Sequence, residues 1–397
     1  MSNTSPNSRR TAAFILVSWL RDGTNPATLL PEDASRAFVQ DMVFTALKRL
    51  RALRFALSPF LKTWPRGWLE ALLYIGAVQI LYMDGVPDFA AVNETVDAAR
   101  RCDRKSIARV VNAVLRNLLR SREDVLKSLA NANVDVRESI PRELYRRWLE
   151  RHGEEDAETL ARTVNTPADT FIARPDGTFT PLAHGCKVQD VDGYAEGAFI
   201  VQDPATRHAV ELLDPQPGET VLDACAAPGG KTIQMFWRGA DVVACEVNPA
   251  RRKRLAANLA RVGAADIKII QEMPPADWRF DKILVDAPCS NTGVLRRRPD
   301  ARWNWSPERL ASLVRIQASI LDAAVLRLKP GGLLVYSTCS NEPEENMMQV
   351  EAFLKRHPDF SLVATREETP LDAGHDGAFA ASFRKGSIWK TTSSDCW

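Results

Sequence analysis

At 397 residues the chain exceeds the roughly 250 to 300 at which a single hydrophobic core stops growing, so two or three domains are expected. Its composition, 45% hydrophobic and 26% charged, excludes a disordered or membrane-embedded class. The net charge of +2 conceals an asymmetry: residues 1–130 hold 19 Lys+Arg against 12 Asp+Glu, and the remainder is acidic, which suits a polyanion partner for the front half or a merely solvated helix surface.

Other broad exclusions follow. The longest apolar run, Leu69 to Leu81, is interrupted by Glu70 and Gln79 and is shorter than the ~20 residues of a bilayer span, so a buried helix and no membrane partner are expected. The start, MSNTSPNSRR, lacks a secretory apolar core, which predicts a cytoplasmic protein. Cys102, Cys186, Cys225, Cys245, Cys289, Cys339 and Cys396 are scattered without CxxC pairs, and the five histidines have no ligand-like spacing; neither a disulfide framework nor a metal site is indicated.

In chain order, the first 130 residues read as helices. Helical patterns cover Thr11 to Leu20, Ser35 to Leu57 and Trp68 to Met83. Ile107, Val110, Val111, Val114, Leu115, Leu118 and Leu119 form one apolar stripe, with Arg109, Arg116 and Arg120 on the other face. From Pro141 to Ile200 an Arg/Glu-rich helix gives way to short segments broken by Gly and Pro, a connecting subdomain. After Gln202 the character changes: TVLDAC, ADVVACEV, DIKII, KILVDA and GLLVYSTC alternate with amphipathic stretches, which predicts a parallel sheet with helices on both faces, an α/β fold. Ser306 and Pro307 start a late helix, and the KPGG at 329–332 is expected to stop it.

Five constellations could carry chemistry. VLDACAAPGGKT, Val221 to Thr232, is a strand running into a glycine turn and a helix, a shape that lets backbone N–H groups approach a ligand; an ordinary α/β turn and a phosphate-cradling P-loop compete with that reading, the latter weakened because Cys225 occupies the first glycine position. Glu246 lies at the tip of the next strand, where a carboxylate can accept from ribose hydroxyls or simply cap a helix. Asp286 and Cys289 follow the fourth strand in LVDAPCSNTG, and Cys339 ends another in YSTCSNEPEEN. A lone buried cysteine is usually packing; two thiols and a carboxylate at one ligand mouth make a reaction centre. Finally, Arg296, Arg297 and Arg298 with Trp303 and Trp305 combine phosphate-seeking cations and base-stacking rings, although a solvated arginine cluster looks the same.

DACAAPGGKT, DAPCSNTGVLRRRPD and YSTCSNEPEEN together resemble the bacterial RNA 5-methylcytosine methyltransferases, of the type that modifies small-subunit ribosomal RNA and carries a NusB-like front domain. The resemblance implies a helical RNA-binding domain over 1–135, a small α+β connector over 141–200, a Rossmann-like class I methyltransferase domain over 201–386 and a tail at 387–397. It implies S-adenosylmethionine as cofactor, cradled by Cys225, Ala226, Ala227, Pro228, Gly229, Gly230 and Lys231, with Glu246 on its ribose. Asp286 would contact both cofactor and cytosine, Cys339 would attack carbon 6 of the base, and Cys289 would assist product release. Where relatives carry Gly-Asp after the third strand this chain has IIQEMPP, with Glu272 as the substitute; HDGAFAASFRK only loosely matches the DGFF strand. The implied partner is 16S ribosomal RNA, bound by a monomer. A P-loop hydrolase and a non-catalytic ribosome-assembly factor are the rival functions.

Overall fold

A computed structural model describes residues 7–102, 105–183, 185–371 and 375–386; the tail at 387–397 and Cys396 lie outside the described residues. The chain divides into two compact units, Met1–Thr166 with Arg298–Asn304, and Pro167–Arg297 with Trp305–Trp397.

The first unit is all helix: α1 (Ser8–Asp22), α2 (Arg36–Leu57), α3 (Trp68–Tyr82), α4 (Asp88–Arg100), α5 (Lys105–Arg120), α6 (Arg122–Ala130), α7 (Val134–Arg137) and α8 (Arg142–Thr163). Asn7 opens α1 by accepting from the N–H groups of Arg9 and Arg10, and Gly23 closes it in the left-handed region at φ 69°. The apolar run becomes α3, in which every residue from Ala71 to Ile80 is buried, so this helix is the centre of the unit. It meets α5 at Gly76, where an added Cβ would lie 2.3 Å from Leu115 Cδ1; the close approach requires glycine.

The predicted stripe on α5 buries Val111, Val114, Leu115 and Leu118, and half-buries Ile107 and Leu119. Val110 departs from it and stands 36% exposed, because Ala108 rather than Val110 turns toward the core. Arg109, Arg116 and Arg120 are exposed as expected. The segment Arg298–Asn304 completes this unit: Arg302 is fully buried and donates to Val164 O (3.0 Å) and Asn165 Oδ1 (2.9 Å), and Trp303 Nε1 donates to Leu47 O (2.7 Å).

The second unit begins with a small antiparallel sheet, order β2-β1-β3, from β1 (Phe171–Ala173), β2 (Phe179–Pro181) and β3 (Ile200–Val201). There follow α9 (Arg207–Leu213), β4 (Thr220–Asp223), α10 (Gly230–Trp237), β5 (Asp241–Cys245), α11 (Pro249–Arg261), β6 (Lys268–Ile270), β7 (Phe280–Asp286), α12 (Pro307–Val325), β8 (Leu328–Thr338), α13 (Met347–Arg356), β9 (Phe360–Glu368) and β10 (Ala378–Lys385). The strands form a seven-stranded sheet of order β6-β5-β4-β7-β8-β10-β9. The five strands foreseen from the sequence, β4 to β8, are the parallel ones; β10 runs antiparallel to both of its neighbours. Ile283, Leu284 and Val285 are buried in succession, as a strand covered on both faces requires.

Ser306 caps α12 as expected, its Oγ accepting from Arg309 N–H. The expected stop at KPGG is corrected: α12 ends at Val325, and Lys329 to Gly332 already belong to β8, where a register irregularity against β7 accommodates them. The chain order reverses between β4 and β7, and at such a switch point an open α/β sheet leaves a crevice beyond its carboxyl ends.

Candidate active site

The crevice is bounded first by the turn after β4. Ala226 N–H donates to Cys245 O at 2.9 Å, which ties the turn to β5, and the Ala227–Pro228 peptide is cis. Gly229 adopts φ 110°, and a Cβ there would sit 2.9 Å from Leu255. Only glycine satisfies both constraints, so the chain enters α10 with its backbone open to a ligand. Glu246 directly follows β5; its Oε1 accepts from Asn248 N–H at 2.8 Å. The Cys225 thiol is pushed well up by burial and then by the nearby Asp223, Asp286 and Glu246 carboxylates. Burial likewise lifts Cys245 to about 11. Glu272 is exposed, near enough to Cys245 to add to that shift.

Asp286 ends β7, in register with Ser337 of β8. Its Oδ1 accepts from Ser337 Oγ at 2.7 Å and its Oδ2 from Lys231 Nζ at 2.6 Å. Burial opposes the Lys231 ammonium, but Asp286, with smaller contributions from Cys339 and Asp223, more than offsets it and the net shift is upward. Lys231 is thus committed to a carboxylate rather than held free for a phosphate chain.

Cys289 and Cys339 meet. Their sulfur atoms are 3.3 Å apart, within reach of an S–H hydrogen bond, with Cys289 buried and Cys339 half-buried. The bond to Cys339, then burial, raise Cys289 well above the ordinary thiol range, so Cys289 keeps its proton. The two loops are stitched together: Gly293 N–H donates to Cys339 O (3.1 Å), Asn341 N–H to Thr292 Oγ1 (3.0 Å), and Ser290 Oγ bonds Ser340 Oγ (3.1 Å). Beneath them Glu345, fully buried, accepts from Ser290 N–H (2.9 Å), Ser290 Oγ (2.5 Å) and Gln317 Nε2 (2.9 Å).

Sequence reasoning missed Asn291, Ser337, Gln317 and Glu345. Gln317 did leave a trace, since it shares the α12 face of Leu310, Leu321 and Ala324, where a polar residue among apolar ones needs a buried partner. The arginine cluster is corrected. Arg296 is buried, and Arg297 binds Asp203 (2.7 Å), Asp376 (2.5 Å) and the Asp169 carbonyl (2.6 Å). Arg298 pairs with Asp300, and Trp303 spends its N–H on Leu47 O. Adjacent cations and rings resemble a nucleic-acid surface in sequence; here carboxylates claim the charge, those of Arg297 distant in the chain and that of Arg298 two residues away.

A family model of 16S rRNA methyltransferase RsmB/F matches residues 210–383, and one of the NusB family matches 6–120. The ribosomal RNA small subunit methyltransferase B of Serratia proteamaculans is 35% identical over 96% of this chain and 99% of its own length. That of Salmonella arizonae is also 35% identical with the same coverage. This chain belongs to the RsmB/F family.

Membership makes the RsmB/F-family protein an RNA methyltransferase with a NusB-like front, as the three motifs foretold. Solved structures share the fold. PH0851 aligns with TM-score 0.79 at 21% identity, covering 97% of this chain and 100% of its own. NSun6 from Pyrococcus horikoshii aligns with TM-score 0.54 at 18% identity, covering 62% and 99%. Among the described residues of this RsmB/F-family chain, no helix is long and apolar enough to cross a membrane, and no group of three or more His, Cys, Asp or Glu side chains could hold a metal ion.

Proposed function

We propose that this methyltransferase uses S-adenosylmethionine to methylate carbon 5 of a cytosine in 16S ribosomal RNA, with Cys339 as the nucleophile. The observation that carries the reading is the 3.3 Å approach of the Cys289 and Cys339 sulfurs at the carboxyl ends of β7 and β8. Cofactor fit is supported by the glycine turn that opens α10 and by the Glu246 carboxylate at the end of β5, since a carboxylate there can accept from ribose hydroxyls. Residues Cys225 to Lys231 would hold the cofactor's methionine and ribose, Glu246 the ribose hydroxyls, and Glu272 the adenosine side. When bound, it supplies an electrophilic methyl group.

Carbon 5 of cytosine is a poor nucleophile. Addition of the Cys339 thiolate to carbon 6 pushes electron density onto carbon 5 and makes methylation there feasible. Asp286 faces N3 and the exocyclic amine in this reading. After methylation water takes the carbon 5 proton, the C–H electron pair re-forms the double bond between carbons 5 and 6, and the bond from sulfur to carbon 6 breaks so that Cys339 departs as thiolate. Cys289, kept protonated, offers its S–H to that sulfur and stabilises the departing charge. Cys225 and Cys245, lifted by burial, are unsuited to either task.

In the same reading residues 1–135 bind RNA, 141–200 connect, 201–386 carry catalysis, and the enzyme works as a cytoplasmic monomer. The test is methyl transfer from labelled S-adenosylmethionine to ribosomal RNA, with the position read by bisulfite sequencing. Cys339→Ala is expected to abolish labelling; a Cys339→Ala enzyme that still labels cytosine overturns the assignment.

A further inference from the structure

Asn291 stands between the two cysteine loops in a left-handed backbone conformation, φ 61°, that few residues other than asparagine and glycine adopt readily. Its Nδ2 donates to Cys289 O at 2.9 Å, and its Oδ1 accepts from Cys339 Sγ at 3.3 Å. A carbonyl can only accept. The Cys289 carbonyl therefore fixes the amide's orientation, because a flip would set two acceptors face to face. We propose that Asn291 is a positioning residue for methyl transfer: its amide, locked by the Cys289 carbonyl, holds the Cys339 sulfhydryl proton and aims the sulfur until the base arrives. This rests on Cys339 being the nucleophile.

The groups around Cys339 make that amide decisive. Lys231 on α10 lies close enough to interact with Cys339, yet its charge is largely offset by Asp286 at the end of β7. Cys289 offers its S–H from one side, and Glu345, ahead of α13, sits under the Cys289 loop. Hydrogen bonds then govern the sulfur: Cys289 Sγ lies 3.3 Å away on one side, and on the other Asn291 Oδ1 accepts a bond that only the protonated sulfur can donate. Asn291 thus keeps a reactive pair quiescent and oriented; a nucleobase edge displaces the bond as it enters, and the sulfhydryl proton passes to water as the sulfur adds to carbon 6.

The test uses the full-length enzyme with Asn291→Gly, which keeps the left-handed backbone and removes the amide, and Asn291→Asp, which keeps the size but loses the donor to the Cys289 carbonyl and sets a charged acceptor beside the sulfur. The readout is the pH profile of Cys339 alkylation by iodoacetamide, followed by peptide mass spectrometry, beside kcat and KM. Asn291→Gly is expected to lower the alkylation midpoint by about half a unit to one unit, and Asn291→Asp to raise it by a similar amount. Asn291→Gly is also expected to lose about 5- to 20-fold in kcat while KM for RNA changes by less than about twofold. Midpoints that stay put, or move in the same direction in both variants, overturn the proposal while leaving the nucleophile intact. Methylation surviving in Cys339→Ala overturns the nucleophile instead, whatever the alkylation profile.

Discussion

Lys231 Nζ and Asp286 Oδ2 form an ion pair at 2.6 Å, joining the first turn of α10 to the end of β7 across the crevice. The lysine side chain is 14% exposed and the aspartate 34%, so the partners do not suffer equally when separated. Asp286→Asn leaves the more buried ammonium without a counter-charge and is expected to cost about 2 to 4 kcal/mol. Lys231→Met leaves a carboxylate that reaches water and is expected to cost about 1 to 2 kcal/mol. Urea unfolding of both variants checks the order; a Lys231→Met variant less stable than Asp286→Asn would contradict it.

That pair also shows what was legible in the sequence. The strands of the parallel sheet, the glycine turn and the two thiols announced themselves through local pattern, because β-branched runs, turn glycines and motif spacing are read within a dozen residues. Lys231 and Asp286 were each singled out, yet their bond spans 55 positions and depends on β4 lying beside β7. Arg297 was misread for the same reason: Asp203 and Asp376, which neutralise it, are 94 and 79 positions away. β9 escaped notice because an exposed edge strand lacks a continuous apolar run; only Phe360 among its residues is buried.

Asp223 gives the fold a pH dependence. Burial pushes its carboxyl up to about 6, against the pull of the Thr232 hydroxyl bonded to it at 2.6 Å. Its folded value lies above the unfolded 3.8, so between those values the folded chain binds more proton than the unfolded one. Stability from this group is therefore greatest below about 4 and declines as pH rises through about 6. Asp223→Asn removes the titration. The stability difference between Asp223→Asn and wild type should shift by up to about 3 kcal/mol in the variant's favour from pH 4 to pH 7. Urea unfolding at the two pH values measures it, and a difference independent of pH would refute it.

Gly293 shows how tightly the two cysteine loops are pressed together. An added Cβ would lie 2.6 Å from Gly377 O and 3.0 Å from Cys339 O, and both obstacles are backbone. Gly377 N–H also donates to Gly293 O at 2.8 Å, so the strands of chain cannot simply part. Gly293→Ala is expected to destabilise by about 1 to 3 kcal/mol and to displace the Cys339 loop, lowering kcat more than it raises KM for RNA. Steady-state kinetics beside thermal unfolding check both; unchanged kcat at reduced stability would separate the loop's packing from its chemistry.

The arginine cluster yields a test that sets stability against RNA binding. An arginine that contacts phosphate contributes to the salt dependence of affinity, and its loss lowers the slope of log affinity against log salt by about one. An arginine holding buried carboxylates does not. Arg297 grips Asp203 and Asp376, both nearly buried, along with the Asp169 carbonyl, and in doing so fastens the stretch after Cys289 to the loop before β10. Removing it leaves Asp376 only the longer contact with Arg296 (3.8 Å) and Asp203 only the Ala205 N–H and His375, so Arg297→Ala is expected to cost about 2 to 4 kcal/mol. Arg297→Lys keeps the charge but loses the planar fork that reaches both carboxylates and the Asp169 carbonyl, and should recover only part of the loss. RNA titrations across salt concentrations, at a temperature where the variant stays folded, should give the wild-type slope; a slope lower by one with stability intact would return Arg297 to the RNA surface.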